Sequence, residues 1–186
     1  MKQQFIAAVI AAAVALPIAA QAENSYVGVS VGRAELKATT PGFSKKETTT
    51  GYKLVGGFNF DKTFGVEVGY ADLGKIEGSG GGYSVSGKAK SFYVAGTATL
   101  PVSEEFAVFG KLGFAANRVD LHITTPTMLG DGNSSKTAPF FGLGASYNFT
   151  KTVAVVAEYE NFGKVASEQS TDLKGNMFSV GLRYNF

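Results

Sequence analysis

Cysteine and tryptophan are both absent from the 186 residues. Without cysteine there is no disulfide framework and no thiolate site. A single histidine, His122, leaves no metal site to be read from His/Cys spacing. Net charge is low as well: the formal value of +2 is too small to argue for nucleic acid as a partner. Nor is there, after the first two dozen residues, a run long and apolar enough for a transmembrane helix. What abounds is glycine, at 24 residues, with 15 Phe and 8 Tyr. Glycine and aromatics together point to β-structure with close backbone contacts rather than a helical bundle, and the length suits one domain.

The opening stretch, "MKQQFIAAVIAAAVALPIAAQAENS", has a basic residue at Lys2, an apolar core from Phe5 to Leu16 and the small-residue site Ala20-Gln21-Ala22. That pattern predicts a signal peptide over residues 1–22, cleaved to leave a mature domain at 23–186. The apolar run is too short for a comfortable membrane span.

Eight short segments then alternate with period 2: "SYVGVSVGRA", "GYKLVGGFNF", "TFGVEVGYA", "SFYVAGTATL", "FAVFGKLGFAANR", "PFFGLGASYNF", "VAVVAEYE" and "NMFSVGLRYNF". In each, one face carries Val, Leu, Ala, Phe or Tyr and the other carries glycine or polar residues, which is a β-signal. The connections alternate in length. Asp61-Lys62, "PVSEE" and Thr150-Lys151-Thr152 are hairpin-sized. The other four, about Glu35–Thr50, Asp72–Lys90, Val119–Thr137 and Asn161–Gly175, read as long polar loops. An even strand count with short turns at one end and long loops at the other predicts an all-β fold: an eight-stranded antiparallel up-and-down transmembrane β-barrel of the outer membrane.

The charges settle which face meets lipid. Glu67, Lys111, Glu158 and Arg183 share the glycine-rich face, and lining a soluble apolar core with them would be costly. With lipid outside, the closed ladder satisfies the backbone and the charges line the lumen. Aromatics gather at segment ends, with Phe58, Phe60, Phe64, Phe106, Phe149, Tyr184 and Phe186 toward the short turns. Tyr52, Tyr70, Phe92, Phe141, Tyr159 and Phe178 lie toward the long loops, completing two interfacial girdles. The chain stops on the last residue of a strand, although termini usually fray. A closing strand hydrogen-bonded to the first one explains that ending.

The stretches "FGVEVGYADLGK", "GTATLPVSEEFAVFGKLGF", "FFGLGASYNFTKTVAVVAEYENF" and "FSVGLRYNF" resemble the N-terminal transmembrane domain of the outer membrane protein A family. The resemblance covers nearly the whole mature chain. Its most specific parts are Gly65–Gly74, the Pro101 turn leading into Lys111, and the last nine residues. It implies an eight-stranded barrel in the Gram-negative outer membrane with both termini periplasmic, and a closing strand whose aromatic end, here Tyr184 and Phe186, is read as an assembly signal by the barrel-insertion machinery. The chain stops where that family continues into a peptidoglycan-binding domain, so no wall tether is implied. Glu67, Lys111 and Glu158 match the family's interior charges. Thr97, Ser146 and Val156 stand where it has charged partners, so its gating ion pairs do not carry over intact.

Glu158 and Arg183 are expected to pair on adjacent strands, and Glu67 with Lys111 across the lumen, as a polar plug or as a narrow ion path. Arg33, Lys88, Lys90 and Arg118 fall near outer strand ends, in reach of lipopolysaccharide phosphates. His122, in "LHITTP", has Thr124 where lipid A deacylases carry serine, and no orienting acid is evident. "EGSGGGYSVSGKAK" is not a P-loop, since Gly87-Lys88 is followed by Ala89, and reads as a flexible tip. The expectation is a non-enzymatic protein without cofactor. It would stabilise the membrane and meet a host or surface ligand through its loops, with a low-conductance channel as the alternative and a lipid A-modifying enzyme as a minor one.

Overall fold

The computed structural model describes residues 24–40, 43–80, 83–124, 129–168 and 171–186, with side chains for 24–37, 46–75, 86–120, 134–165 and 173–186. The leader read at 1–22 lies outside the described residues. Eight strands follow in order: β1 (Ser25–Thr40), β2 (Phe43–Asn59), β3 (Phe64–Gly80), β4 (Tyr83–Pro101), β5 (Phe106–Thr124), β6 (Leu129–Asn148), β7 (Val153–Glu168) and β8 (Thr171–Asn185). Each pairs with its neighbour in sequence, and β1 pairs antiparallel with β8, closing the barrel. Closure leaves no edge, so every strand can satisfy its backbone without water.

At three short turns one device recurs. The side chain at the second turn position accepts the amides two and three residues on: Asp61 from Thr63 and Phe64, Ser103 from Glu105 and Phe106, Thr150 from Thr152 and Val153. Such Asx- and Ser/Thr-turns fix the reversal locally. The amides of Phe64 and then Thr63 hold the exposed Asp61 carboxyl below its ordinary range.

The strands run 15 to 20 residues, about twice what a tilted strand needs to cross a bilayer. This corrects the reading of Glu35–Thr50, Asp72–Lys90, Val119–Thr137 and Asn161–Gly175 as loops. The chain stays in strand on both sides of each connection, and the hairpins carry the sheet well past the outer girdle. Apolar residues pass there from outward to inward positions, because the outward face no longer meets lipid.

The wall accordingly follows two polarity rules. In the membrane band the apolar face points out, with Leu112 73% and Leu143 66% exposed, while Lys53, Glu67, Lys111, Glu158 and Glu160 are buried inside. Above the band the order reverses. On β1, Ala34 and Leu36 are buried inside, whereas Arg33 and Lys37 are exposed. Met177 and Val165 are likewise buried, with Lys174 and Lys164 exposed. Water outside and apolar side chains inside is the arrangement of a soluble barrel.

Glycine makes room in the lumen for rings. Tyr26 lies opposite Gly57, Tyr93 opposite Gly69, and Phe109 opposite Gly144. A Cβ at these glycines would sit 2.1 Å, 2.3 Å and 2.5 Å from the respective ring atoms. Two bulges add a second use. Gly74 (φ 86°) and Gly163 (φ 66°) interrupt the β3–β4 and β7–β8 registers. Their amides donate to Asp72 and Asn161 two residues earlier, at 3.0 Å and 2.8 Å. The residue between each pair, Leu73 or Phe162, is fully buried in the lumen.

Candidate functional site: the filled lumen

Six charged side chains from five strands converge in the lumen. They are Lys53 (β2), Glu67 (β3), Lys111 (β5), Glu158 and Glu160 (β7), and Arg183 (β8). Lys111 Nζ lies 2.6 Å from Glu67 Oε1, 2.6 Å from Glu158 Oε1 and 3.4 Å from Glu160 Oε1. Lys53 Nζ lies 2.6 Å from Glu160 Oε2 and also binds Glu158. Arg183 is looser, 3.8 Å from both Glu67 and Glu158. Three cations thus face three carboxylates, and the formal charge of the set is zero. Glu67 also accepts hydrogen bonds from the phenols of Tyr26 (2.8 Å) and Tyr93 (2.6 Å). The Arg183 guanidinium stacks 4.2 Å from the Tyr26 ring centroid and 4.9 Å from that of Phe109.

Glu67, Lys111, Glu158 and Arg183, the four charges read from alternation, all belong to this cluster. Lys53 and Glu160 complete the cluster, and both sit on the lumenal phase of their strands. Parity was the signal that would have found them. Lys53 stands in "GYKLVGGFNF" and Glu160 in "VAVVAEYE", each on the polar or small face of its segment.

An apolar layer abuts the ionic one. Tyr93 stacks on Phe140 with centroids 4.2 Å apart, and Phe162 stands 5.4 Å from Phe140 and 6.2 Å from Tyr93. Leu36, Leu73 and Val165 converge around Gly175, where an added Cβ would lie 3.5 Å, 3.2 Å and 2.8 Å from their methyl carbons. Asn117 of β5 reaches across to the β7 bulge and donates through Nδ2 to the carbonyl oxygens of Phe162 (2.8 Å) and Lys164 (3.3 Å). The layer fills the lumen with side chains and holds the bulge backbone in place.

No group of His, Cys, Asp or Glu among the described residues is placed to hold a metal ion, and the lumenal carboxylates already face ammonium or guanidinium groups. On the outer wall, Lys88 binds Asp72 at 3.0 Å, Arg118 binds Asp120 at 3.0 Å, and Lys90 lies 3.9 Å from Asp120. Arg33 is elsewhere, on β1 opposite Thr50 and Phe178. The side chains of His122 and Thr124 lie outside the described residues, but the ladder sets His122 opposite Ser86 on one side and Asp131 on the other. At the seam, Tyr184 packs edge-on against Phe186 at 5.0 Å, and the Phe186 amide donates to the Ser25 carbonyl at 2.9 Å.

The family model of the OmpA-like transmembrane domain matches residues 20–186. Outer membrane protein A of Escherichia coli O157:H7 is 24% identical over an alignment covering 100% of this chain and 55% of that protein. Across the relatives of this kind, the chain spans 38% to 56% of their length. Among solved structures, Neisserial surface protein A (NspA) superposes with a TM-score of 0.64 at 18% identity, covering 88% of this chain and 98% of that one. Ail, the attachment invasion locus protein of Yersinia pestis, solved with the heparin analogue sucrose octasulfate, gives a TM-score of 0.57 at 18% identity, covering 86% and 99%. At such identities these likenesses concern the fold.

Proposed function

This chain belongs to the OmpA-like transmembrane domain family, an outer-membrane β-barrel of Gram-negative bacteria, and from that premise we propose a closed barrel that stabilises the membrane and displays surface-interaction hairpins. The observation that carries this reading is the filled lumen. The charge-neutral ionic layer and the apolar layer above it occupy the bore, and eight strands enclose little more than their own side chains. Functional surface then remains on the outer hairpins, whose sequence can vary without disturbing the band. Ail carries a sulfated sugar in its structure, and a polyanionic ligand at the hairpins is the analogous reading here.

Two measurements test this pair of roles. In planar bilayers the purified barrel should show no steady conductance. Deleting residues 77–86, the tip of the β3–β4 hairpin, should leave a folded barrel with reduced binding to cells or matrix. Unchanged binding after deletion of all four tips would remove the surface role. The second reading, a low-conductance channel, draws on the loose 3.8 Å contacts of Arg183, which leave room for rearrangement. Reproducible openings altered by Lys111→Ala or Glu158→Ala would favour it.

Tyr184 and Phe186 are assigned as the assembly signal, with both termini on the periplasmic side beside the short turns. The terminal amide bond to Ser25 makes the last residue part of the seam. Deleting Phe186 should therefore lower the amount of heat-modifiable, membrane-inserted barrel in cells several-fold. Wild-type levels of inserted protein would count against the signal.

A further inference from the structure

Three of the four strands that descend to the short-turn end finish on one motif. Phe58-Asn59-Phe60 stands at the end of β2, Tyr147-Asn148-Phe149 at the end of β6 and Tyr184-Asn185-Phe186 at the end of β8. In each, the two rings pack edge-on, with centroids 5.8 Å, 5.1 Å and 5.0 Å apart. All six rings are exposed. The first ring of each motif lies opposite a valine of the next strand around the wall: Val66, Val155 and Val27. The amide of the central asparagine donates to the carbonyl of the residue just before the adjoining ascending strand. Asn59 donates to Asn24 at 2.9 Å, Asn148 to Glu105 at 2.8 Å and Asn185 to Thr152 at 2.7 Å.

Neither the ladder nor the girdle asks for this repetition. The fourth descending strand, β4, comes down through Ala98-Thr99-Leu100 and makes the same bond, from the Thr99 amide to Thr63 at 2.6 Å. A hairpin therefore closes without the rings. The girdle needs aromatics at this end but not in this order. Phe64 and Phe106 supply exposed rings there from the first residues of β3 and β5, with no asparagine beside them.

What the three strands share is their place while the wall is being built. β2, β6 and β8 each trail a hairpin. Each is paired on one side with β1, β5 or β7, and is open on the other until β3, β7 or β1 joins it. An open strand edge with rings two residues apart suits one kind of partner, a protein that offers a strand edge of its own. The partner's backbone pairs with the open edge, and its pockets take the alternate side chains. That is how strand addition divides affinity from specificity.

We propose that Phe58-Asn59-Phe60 and Tyr147-Asn148-Phe149 are internal docking segments for the assembly protein that reads Tyr184-Asn185-Phe186. The β1–β2 and β5–β6 hairpins are then each handled by their own trailing strand, and the chain is not held by its last strand alone. These segments presuppose the assembly role of Tyr184 and Phe186, and a Phe186 deletion run beside the variants separates failure of the one from failure of the other.

The experiment presents the urea-unfolded chain to lipid vesicles that hold the barrel-insertion machinery of a Gram-negative outer membrane, and to the same vesicles without it. Heat-modifiable gel mobility reads the inserted fraction over time. With the machinery, the double variants Phe58→Leu/Phe60→Leu and Tyr147→Leu/Phe149→Leu should each insert about tenfold more slowly than wild type, the scale of losing a pocketed aromatic anchor. In plain vesicles each should stay within about threefold of wild type, because leucine keeps the outward face apolar. The control Phe64→Leu/Phe106→Leu removes two girdle rings outside the motif and should stay within about threefold in both settings. A wild-type rate for either motif variant, with the Phe186 deletion slowed, would leave the C-terminal signal standing and overturn the internal ones. Wild-type rates for the deletion and the variants alike would overturn both readings. Equal slowing in plain vesicles, or equal slowing of the control, would make the rings membrane anchors only and overturn the proposal.

Discussion

Replacing Lys111 with methionine is expected to lower the stability of the barrel by about 3–5 kcal/mol, the usual cost of removing one partner from a buried ion pair. The geometry explains why this residue rather than another. Lys111 touches all three carboxylates, at 2.6 Å, 2.6 Å and 3.4 Å. Without it, Lys53 still serves Glu158 and Glu160. Glu67 keeps its two phenol hydrogen bonds but faces only the 3.8 Å contact of Arg183 as a nearby cation. Methionine retains most of the volume, so the loss reports charge and not a void. Adding Glu67→Gln restores two cations facing two carboxylates. The double variant should therefore be more stable than Lys111→Met alone. Urea unfolding in lipid vesicles, followed by gel mobility, measures both. A single variant within 1 kcal/mol of wild type, or a double variant showing the full sum of the two single losses, would sink the idea of a mutually dependent set.

Substitution of Gly69 by valine comes next in size. The Tyr93 ring lies over this glycine, and a Cβ there would sit 2.3 Å from the ring carbons. The ring has no free direction to retreat, since Phe140 stacks on it at 4.2 Å. Displacing it also breaks the 2.6 Å hydrogen bond to Glu67. Overpacking costs about 1–3 kcal/mol and a bond to a charged group about 1.5–3 kcal/mol; the two are not additive, and a loss of about 3 kcal/mol is expected. Tyr93→Phe, which keeps the ring and drops the hydroxyl, should cost less. If Gly69→Val costs as much in a Tyr93→Ala background as in wild type, then the ring is not what fills that space.

Most of the barrel was legible because lipid imposes a strict period of 2 on any strand that crosses it. That rule placed Leu112 and Leu143 outside and Lys111 and Glu158 inside. It also explains what could not be read. Leu36, Phe162, Val165 and Met177 lie above the band, where water replaces lipid on the outer face and the polarity of the wall reverses. Past Gly74 and Gly163 the bulges also shift the phase, so Lys75 turns outward and Val165 inward, against the alternation set lower on their strands. The level of four outward lysines was hidden for another reason. Lys37, Lys46, Lys164 and Lys174 are scattered through the sequence, and only the ladder brings them to one level. Ladder register above the membrane is fixed by closure rather than by an apolar pattern.

Closure also determines when the molecule becomes safe from its neighbours. β1 pairs with β8 from Tyr26↔Asn185 to Thr39↔Asp172, so the two most distant parts of the sequence form one seam. Until β8 arrives, β1 presents its whole length as an unpaired edge, a template for any other strand. Every other pairing in the wall is a local hairpin and can form as the chain emerges, whereas this one is the most non-local contact available and the slowest to find. Until that seam forms the open sheet has two unpaired edges, β1 and the last strand added, and only closure removes both.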